Sequence, residues 1–209
     1  GKSILAVEGR GLTYLNIDTG TIGSYFGPTN VSDVDYIAGR SILGHMPAFL
    51  TVWNREDKLK LLDQSGKLLA TFPIPMGCLD VDLLDNGNFL LTETTQNRLR
   101  EVTPEGETVW TSTIELAHPY DTVPTANSTF IIADFDRHRV VEIDRENRIL
   151  FSQGGLNHPR RIQWIPPKTL YIADSDLRRV MLLKTGSVLE PLISNLNRPI
   201  SVALHAHRS

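Results

Sequence analysis

The amino-acid sequence repeats itself, and this repetition limits the folds that the chain can adopt. Three segments align without gaps: LLTETTQNRLREV at 90–102, FIIADFDRHRVVEI at 130–143 and LYIADSDLRRVMLL at 170–183. Each carries an acid at the same place, namely Glu93, Asp134 and Asp174, and an arginine five residues later, namely Arg98, Arg139 and Arg179. Weaker copies place Glu8 and Trp53 at the acid position, so the intervals between the five anchors are 45, 40, 41 and 40 residues. Five such units predict five similar structural modules.

Each unit contains short runs that favour β-strands. In residues 78–115 four runs are rich in Val, Leu, Thr and aromatic residues and are separated by turn sequences such as DNG and PEG. A residue that tolerates positive φ lies 12 or 13 residues after each anchor: Gly20, Gly66, Gly106, Asn147 and Gly186. Four-stranded units of about 40 residues are typical of β-propeller blades. The sequence therefore predicts an all-β, five-bladed β-propeller of four-stranded blades.

The unit boundaries predict a single domain over residues 1–209. Four blades are expected at 29–76, 77–117, 118–156 and 157–198, and the fifth combines 199–209 with 1–28. The last segment resembles a first strand with nothing after it, whereas the first segment supplies the later strands of a blade. We therefore expect 199–205 to pair with 3–8. This pairing of the C-terminal strand with the N-terminal strands would close the ring and remove an exposed sheet edge.

Composition argues against several classes of partner. The chain is 41% hydrophobic and 22% charged, which is ordinary for a folded protein. Its net charge of −3 offers no basic surface, so we expect no nucleic-acid binding. No apolar run is long enough to span a bilayer, so we expect no membrane insertion. The single cysteine, Cys78, allows no internal disulfide and does not fix the compartment. We expect a monomer and favour an extracytoplasmic location.

Several phrases of the repeat resemble those of known propeller families. A proline opens the first strand at Pro119, Pro159 and Pro199, and the phrase IAD ends the second strand in two units before an arginine follows. These features resemble NHL-type propeller repeats. The phrases LDVDLLDNGNFLLTE at 79–93 and EGETVWTS at 105–112 are similar to repeats of arylsulfotransferase-like propeller proteins. The resemblance implies a propeller fold. NHL-type and related propellers include binding scaffolds, lyases and hydrolases, so it leaves the activity open.

The repeated acids and arginines recur too evenly to form a single active site. We expect each of Glu93, Asp134 and Asp174 to accept hydrogen bonds from the loop between the second and third strands of its own blade. Each acid should also pair with an arginine nearby. These residues are therefore predicted to be structural.

Alignment of the first strands of the five units reveals a polar column. It consists of Asp33, Asp80, Asp121, Arg161 and Ser201, which we expect to bind a ligand at the mouth of the central channel. The three carboxylates would repel each other by roughly 3 kcal/mol per pair at ~5 Å. A Ca²⁺ or Mg²⁺ ion held by these aspartates, a neutralising arginine or a raised pKa would relieve that repulsion. Alternatively, the aspartates accept hydrogen bonds from backbone N–H groups of neighbouring first strands.

Two histidines stand directly before the proline that opens a first strand, at His118 and His158. They are one repeat apart, so we expect them in adjacent blades, near Asp121 and Arg161. An imidazole there can act as a base, a nucleophile or a metal ligand. His118, His158 and Asp121 are the candidate catalytic residues, and both histidines are also candidate ligand-binding residues. The alternative is that His-Pro is a common loop entry in such repeats.

These patterns favour a binding module over an enzyme. Such a module would use the channel mouth and the surrounding loops to bind a small molecule, a cation or a partner protein. The alternative is a hydrolase or lyase, in which the aspartates position a divalent cation or act as acid and base, and Arg161 holds an anionic group. Geometry distinguishes the two, because catalysis needs at least two of these groups to converge on an open pocket.

Overall fold

The computed structural model describes residues 3–8, 11–16, 21–25, 31–37, 40–47, 49–63, 65–184, 187–197 and 199. Regular structure in these residues consists of β-strands and two short 3-10 turns, Thr94–Gln96 and Phe135–Arg137. The described part of the chain contains no helix with the length and apolar character needed to cross a membrane. The prediction of an all-β fold is confirmed.

The strands form five antiparallel sheets in which consecutive strands are neighbours. The first has three strands, β1 (Ser3–Glu8), β2 (Gly11–Asn16) and β3 (Thr21–Tyr25). The second sheet has four strands, β4 (Val31–Tyr36), β5 (Phe49–Trp53), β6 (Lys58–Leu62) and β7 (Leu68–Pro73). The third sheet also has four strands, β8 (Cys78–Leu83), β9 (Phe89–Glu93), β10 (Arg98–Val102) and β11 (Thr108–Thr111). The fourth has β12 (Pro119–Pro124), β13 (Phe130–Asp134), β14 (Arg139–Ile143) and β15 (Ile149–Gln153), and the fifth has β16 (Pro159–Ile165), β17 (Thr169–Asp174), β18 (Arg179–Lys184) and β19 (Glu190–Ile193).

The prediction of five four-stranded blades is wrong. The described residues form a β-propeller with four blades of four strands, and within them the first repeat copy forms the three-stranded sheet β1–β3. A fourth strand for that sheet would have to pair with β1, which has β2 as its one neighbour among the described strands. The strand predicted at 199–205, and with it the predicted closure, lies outside the described residues apart from Pro199.

The chain divides into two units, Gly1–Thr95 with Leu99–Thr111 and Gln96–Arg98 with Ser112–Ser209. The first unit has an apolar core to which Leu61 of β6 and Val81 of β8 contribute. The second has its own core, which includes Ile131 of β13 and Ile162 of β16. Every residue of β13 is buried, because a second strand has neighbours on both edges and apolar packing on both faces. Burial of each such aliphatic side chain stabilises the fold by roughly 1.5–3 kcal/mol.

The first strand of each four-stranded blade has an irregularity at the same place. The pairing register shifts between Val31 and Asp33, Cys78 and Asp80, Pro119 and Asp121, and Pro159 and Arg161. In each first strand, one residue therefore has no partner in the pairing register of the second strand. This residue is Tyr120 in β12 and Arg160 in β16. A β-bulge bends its strand and re-aims side chains. The irregularity thus gives Tyr120 and Arg160 equivalent positions in two successive blades.

Candidate functional site

Three acids end the second strands of their blades and are fully buried; these strand-end acids are Glu93, Asp134 and Asp174. Asp134 accepts a hydrogen bond from the Ala117 N–H at 2.7 Å and a second from Arg139 Nε at 2.7 Å. Arg139 also donates to the Glu115 carbonyl at 3.0 Å. The acid and the arginine together fasten the loop that enters β12 to the end of β13. Their role is structural.

The same arrangement recurs one blade later. Asp174 accepts hydrogen bonds from the Asn157 N–H at 2.6 Å and from Arg179 Nε at 2.7 Å. In the blade before, the longer Glu93 accepts from Arg100 Nε at 2.7 Å. The prediction that each repeated acid pairs with a nearby arginine is confirmed, with Arg100 as the partner of Glu93. The prediction of donors from the loop between the second and third strands is wrong for Asp134 and Asp174, because their backbone donors lie in the loop that enters the first strand. Because these groups saturate one another, they are poor candidates for ligand binding.

A second set of acids lies two residues further on, in the loops after β13 and β17. Asp136 Oδ2 hydrogen-bonds to His118 Nδ1, and Asp176 Oδ2 lies 2.5 Å from His158 Nδ1. The remaining oxygen of Asp136 is 3.7 Å from His158 Nε2. Asp136 therefore lies between two imidazoles. We call these four residues the His–Asp cluster.

The backbone holds both imidazoles of the cluster in place. His118 and His158 have positive φ angles of 47° and 58°, a left-handed conformation that side-chain-bearing residues adopt at a cost of roughly 1–2 kcal/mol. The His118 N–H donates to Asn97 Oδ1 at 2.7 Å, and the His158 N–H donates to His138 Nδ1 at 3.3 Å. Each histidine is thus fixed by the loop of the preceding repeat. The equivalent residue of the blade before, Gly77, also has a positive φ of 78°, so this backbone conformation belongs to the repeat.

An aromatic stack adjoins the cluster and is formed by Tyr120, Phe135 and Arg160. The Phe135 ring stacks on the His158 imidazole at 4.3 Å between centroids, and the Tyr120 ring lies 4.6 Å from Phe135. The Arg160 guanidinium lies 4.8 Å from the Tyr120 ring and 5.2 Å from the Phe135 ring. Polar groups with hydrogen-bonding capacity therefore border an aromatic face, as small-molecule sites commonly do.

The cluster is accessible to solvent. The side chains of His118 and Asp136 are 52% and 39% exposed, and those of His158 and Asp176 are 28% and 29% exposed. His118 Nε2 has no hydrogen-bond partner among the residues that the structure describes. Because Asp136 binds Nδ1, the free Nε2 is the nitrogen that can bind a ligand or exchange a proton with it.

The structure divides the predicted polar column between the two units. Asp33 and Asp80 are buried in the first unit, where Thr92 donates to Asp80 at 3.2 Å. Asp121 is buried in the second unit and accepts from the Ile162 N–H and from Arg161, both at 2.6 Å. The backbone contact is the alternative expected for an aspartate on a first strand, and the arginine contact is the expected neutralisation. Ser201 lies outside the described residues.

Burial shifts the acidity of two groups near these strands. It raises the pKa of the Cys78 thiol well above its ordinary value, and the charge of Asp80 adds to the effect. It also raises the pKa of Asp134, although hydrogen bonds from Ala117 and Arg139 oppose the shift. Cys78 is fully buried and protonated, so it is a packing residue and not a nucleophile.

The predicted calcium or magnesium site would be formed by Asp33, Asp80 and Asp121. Among the residues that the structure describes, no group of three or more His, Cys, Asp or Glu side chains is arranged to hold a metal ion. The assignment of Asp33, Asp80 and Asp121 as metal ligands stays an untested prediction.

Sequence reasoning found the two histidines of the cluster and missed their neighbours. The missed residues are Asp136, Asp176, Phe135, His138, Tyr120 and Arg160. The two acids stand two places after a repeated anchor, so an alignment of loop positions would have shown that they recur with the histidines. In the blade before, the equivalent residues are Gly77 and Thr95, and a Cβ on Gly77 would lie 2.3 Å from Thr95 Oγ1. In the remaining four-stranded blade the equivalent residues are Asn30 and Arg55, so the sequence places the His–Asp pair in two of the four blades.

Comparisons with known proteins identify the fold. No family model matches the chain, and no curated protein matches it. Among solved structures, streptogramin B lyase is similar, with a TM-score of 0.68 and 15% identity, and the match covers 93% of this chain and 66% of that one. Virginiamycin B lyase from Staphylococcus aureus matches with a TM-score of 0.65 and 14% identity over 95% of this chain and 69% of that one.

A protein of unknown function from Bacteroides caccae is also similar, with a TM-score of 0.65 and 16% identity over 93% of this chain and 72% of that one. At such identities the similarity shows a shared β-propeller fold. It does not show a shared activity. The chain spans about two thirds of the length of these lyases. The resemblance to NHL-type and arylsulfotransferase-like repeats is not confirmed.

Proposed function

We propose that the protein is a propeller binding module that takes a small molecule at the His–Asp cluster. The observation that carries this proposal is the accessible row of imidazoles and carboxylates beside the aromatic stack. The stack offers the half-buried rings of Tyr120 and Phe135, and His118 Nε2 offers a hydrogen-bonding group without a protein partner among the described residues. Small-molecule sites combine these two elements, an apolar face for affinity and a few polar groups for orientation.

Contrast within the molecule supports this location. The strand-end acids are buried and saturated by backbone and arginine donors, so a ligand cannot reach them. Asp121 is likewise buried and bonded to a backbone N–H. The side chains of the His–Asp cluster, in contrast, are partly or largely exposed. The loop of the preceding repeat holds the backbone of each histidine, which leaves the side chains preorganised for a ligand.

A second candidate function is acid–base catalysis by a lyase or hydrolase. The observation in its favour is the dyad geometry, since a carboxylate on Nδ1 fixes the tautomer and orientation of an imidazole and leaves Nε2 to act as a base. The fold is shared with streptogramin B lyase, and a histidine-to-alanine variant of virginiamycin B lyase is catalytically inactive. In this candidate His118 is the base and Asp136 its positioning residue.

Proton-detected NMR of the full chain, with histidine side chains ¹³C-labelled, tests the proposal. We expect compounds from a library of neutral, anionic and cationic fragments to shift the ring signals of His118 and His158. Those of His45, on the insertion of the first unit, should stay unchanged. The variant Asp136→Asn should weaken binding, and His45→Ala should not. If no fragment moves the His118 and His158 signals, the proposal is wrong.

The same samples separate the two candidate functions. Fragments that bind and are recovered chemically unchanged support the binding module. Quinupristin, which accompanies the inactive lyase variant in its structure, serves as the probe for the second candidate. Its consumption by the wild-type chain, with loss of that consumption in His118→Asn, would replace the binding module by the enzyme.

A further inference from the structure

Arg160 is a cation of the site whose hydrogen-bonding capacity is largely unused. A guanidinium carries five N–H donors. One of them donates to the Tyr120 hydroxyl at 3.3 Å, and the group makes no other hydrogen bond to the residues that the structure describes. The next residue differs, because Arg161 donates to Asp121 at 2.6 Å. Of these two neighbouring arginines, Arg160 is the one with free donors.

The charge of Arg160 is also not neutralised. In the described part of the chain no carboxylate oxygen lies within 4.0 Å of its guanidinium nitrogens. The nearby acids of the His–Asp cluster are already paired, Asp136 with His118 and Asp176 with His158. Most other arginines of this unit differ; Arg139 and Arg179, for example, are bonded to buried acids. An unpaired, half-buried cation favours an anion as its partner.

The surroundings of Arg160 suit an anion. Its guanidinium lies close to the rings of Tyr120 and Phe135, and such cation–π contacts hold the group in place while all but one of its N–H donors have no partner among the described residues. Carboxylates and phosphates accept two parallel N–H bonds from a guanidinium edge. The repeated strand irregularity places Arg160 and Tyr120 at equivalent positions of β16 and β12, so the stack is built by the fold itself.

We propose that Arg160 is the anion-binding group of the site and that the ligands are small organic anions with a carboxylate or phosphate group. The oxyanion accepts hydrogen bonds from the free edge of Arg160, and the rest of the ligand lies along the aromatic stack toward His158 and His118. This inference rests on the proposed function, because it names the class of ligand for the same site. It replaces Arg161 with Arg160 as the residue that holds an anionic group.

Binding of matched probes to the full chain tests this inference. The probes are benzoate, phenyl phosphate and benzamide, which is a neutral analogue of benzoate. We expect both anions to shift the Arg160 Nε–H signal and to bind more tightly than benzamide, with the preferred anion showing whether a carboxylate or a phosphate fits. Arg160→Gln loses the charge-assisted hydrogen bonds, so we expect its affinity for the anions to fall by roughly tenfold or more. Arg160→Lys should lose only part of the affinity, because it keeps the charge without the two-pronged edge.

A matched control uses the other arginine that lies over a phenylalanine in this unit. Arg145 is 5.5 Å from the Phe130 ring, in a different turn, so Arg145→Gln should leave anion binding unchanged. Equal affinity of benzoate and benzamide, or unchanged anion binding in Arg160→Gln, would overturn the inference. If Arg160→Gln does not fold, two other measurements test the inference. These are the anion affinity of Arg160→Lys and the shift of the wild-type Arg160 Nε–H signal on addition of the anions. Continued response of His118 and His158 to benzamide would then leave the proposed function standing, whereas silence toward all three probes and the fragment library would remove both.

Discussion

Two carboxylates only two residues apart, Asp134 and Asp136, occupy opposite environments. Asp134 is fully buried and bonded to a backbone N–H and to Arg139. Asp136 is 39% exposed and bonded to imidazoles that are themselves accessible. The next blade repeats the contrast with Asp174 and Asp176. Recurrence along the sequence therefore does not separate structural acids from candidate functional ones, because both kinds recur.

What separates them is the saturation of their hydrogen bonds and their access to water. A buried acid without its donors would cost several kcal/mol, so its neighbours must supply them and nothing remains for a ligand. An exposed acid is solvated by water in the folded protein, so it needs no protein donor. It can therefore hydrogen-bond to a side chain that faces solvent. The repeat thus uses one acid per blade to hold the loop and, in two blades, a second acid to orient a histidine.

Removal of each carboxylate gives the largest expected contrast. We expect Asp134→Ala to lower the free energy of unfolding by about 3 kcal/mol or more, because it leaves the Ala117 N–H and Arg139 without their partner. Asp136→Ala should change it by less than about 1 kcal/mol, as exposed ion pairs usually do. Urea unfolding followed by circular dichroism measures both.

Two controls sharpen this contrast. Asp134→Asn keeps an acceptor for the Ala117 N–H and should be milder than Asp134→Ala. Asp174→Ala should repeat the large loss, whereas Asp176→Ala, at a carboxylate that is 29% exposed, should cost less. Similar losses for the buried and the exposed acids would show that the His–Asp cluster is part of the structural framework.

Much of the fold was predictable because the same pattern of strands and turns recurs along the sequence. The strand β13 follows directly from the run FIIAD, and the turn residues Gly66, Gly106 and Asn147 have the positive φ that was predicted from their spacing. The number of blades was not predictable in the same way. It depended on the weakest copy, around Glu8, in which the arginine position is occupied by Thr13. Periodicity identifies strands, but it does not show whether a fourth strand completes the sheet.

The site was predictable only in part, for geometric reasons. His118 and His158 could be found from their place before a proline, whereas their acids lie 18 residues away and meet them through loop conformation. The stack of Arg160 on Tyr120 depends on the irregularity in each first strand, which shifts side chains by one position relative to a regular alternation. Simple column alignment therefore selected Arg161 instead.

The pH dependence of stability should have opposite signs at Asp134, which is buried, and at Asp63, which is half-buried. Burial raises the pKa of Asp134 above 3.8 in the folded chain, so its contribution to stability is present at acid pH and is lost as the pH rises through the folded pKa. At Asp63 slight desolvation is outweighed by hydrogen bonds from Ser65 and Lys67, which lower the pKa below 3.8. That contribution is present above pH 3.8 and is lost as the pH falls through the folded pKa.

Unfolding free energies of Asp134→Asn and Asp63→Asn between pH 3 and pH 7 measure these slopes. Relative to the wild type, the cost of Asp134→Asn should shrink as the pH rises, and the cost of Asp63→Asn should grow. If the stability curves of both variants run parallel to that of the wild type, neither acid changes its pKa on folding. If the cost of both substitutions changes with pH in the same direction, the environments assigned to the two acids are wrong.

The smallest expected effect on stability distinguishes the two histidines. Asparagine tolerates the left-handed conformation and keeps the N–H that donates to Asn97, so His118→Asn should change the free energy of unfolding by about 0.5 kcal/mol or less. His158→Asn should cost about 1 kcal/mol, because it loses the stacking on Phe135. Both variants should abolish the fragment-induced shifts at the remaining histidine of the cluster. A nearly neutral change in stability that removes ligand response is the behaviour of a binding residue, whereas a large loss in His118→Asn would place that imidazole with the structural groups around Asp134.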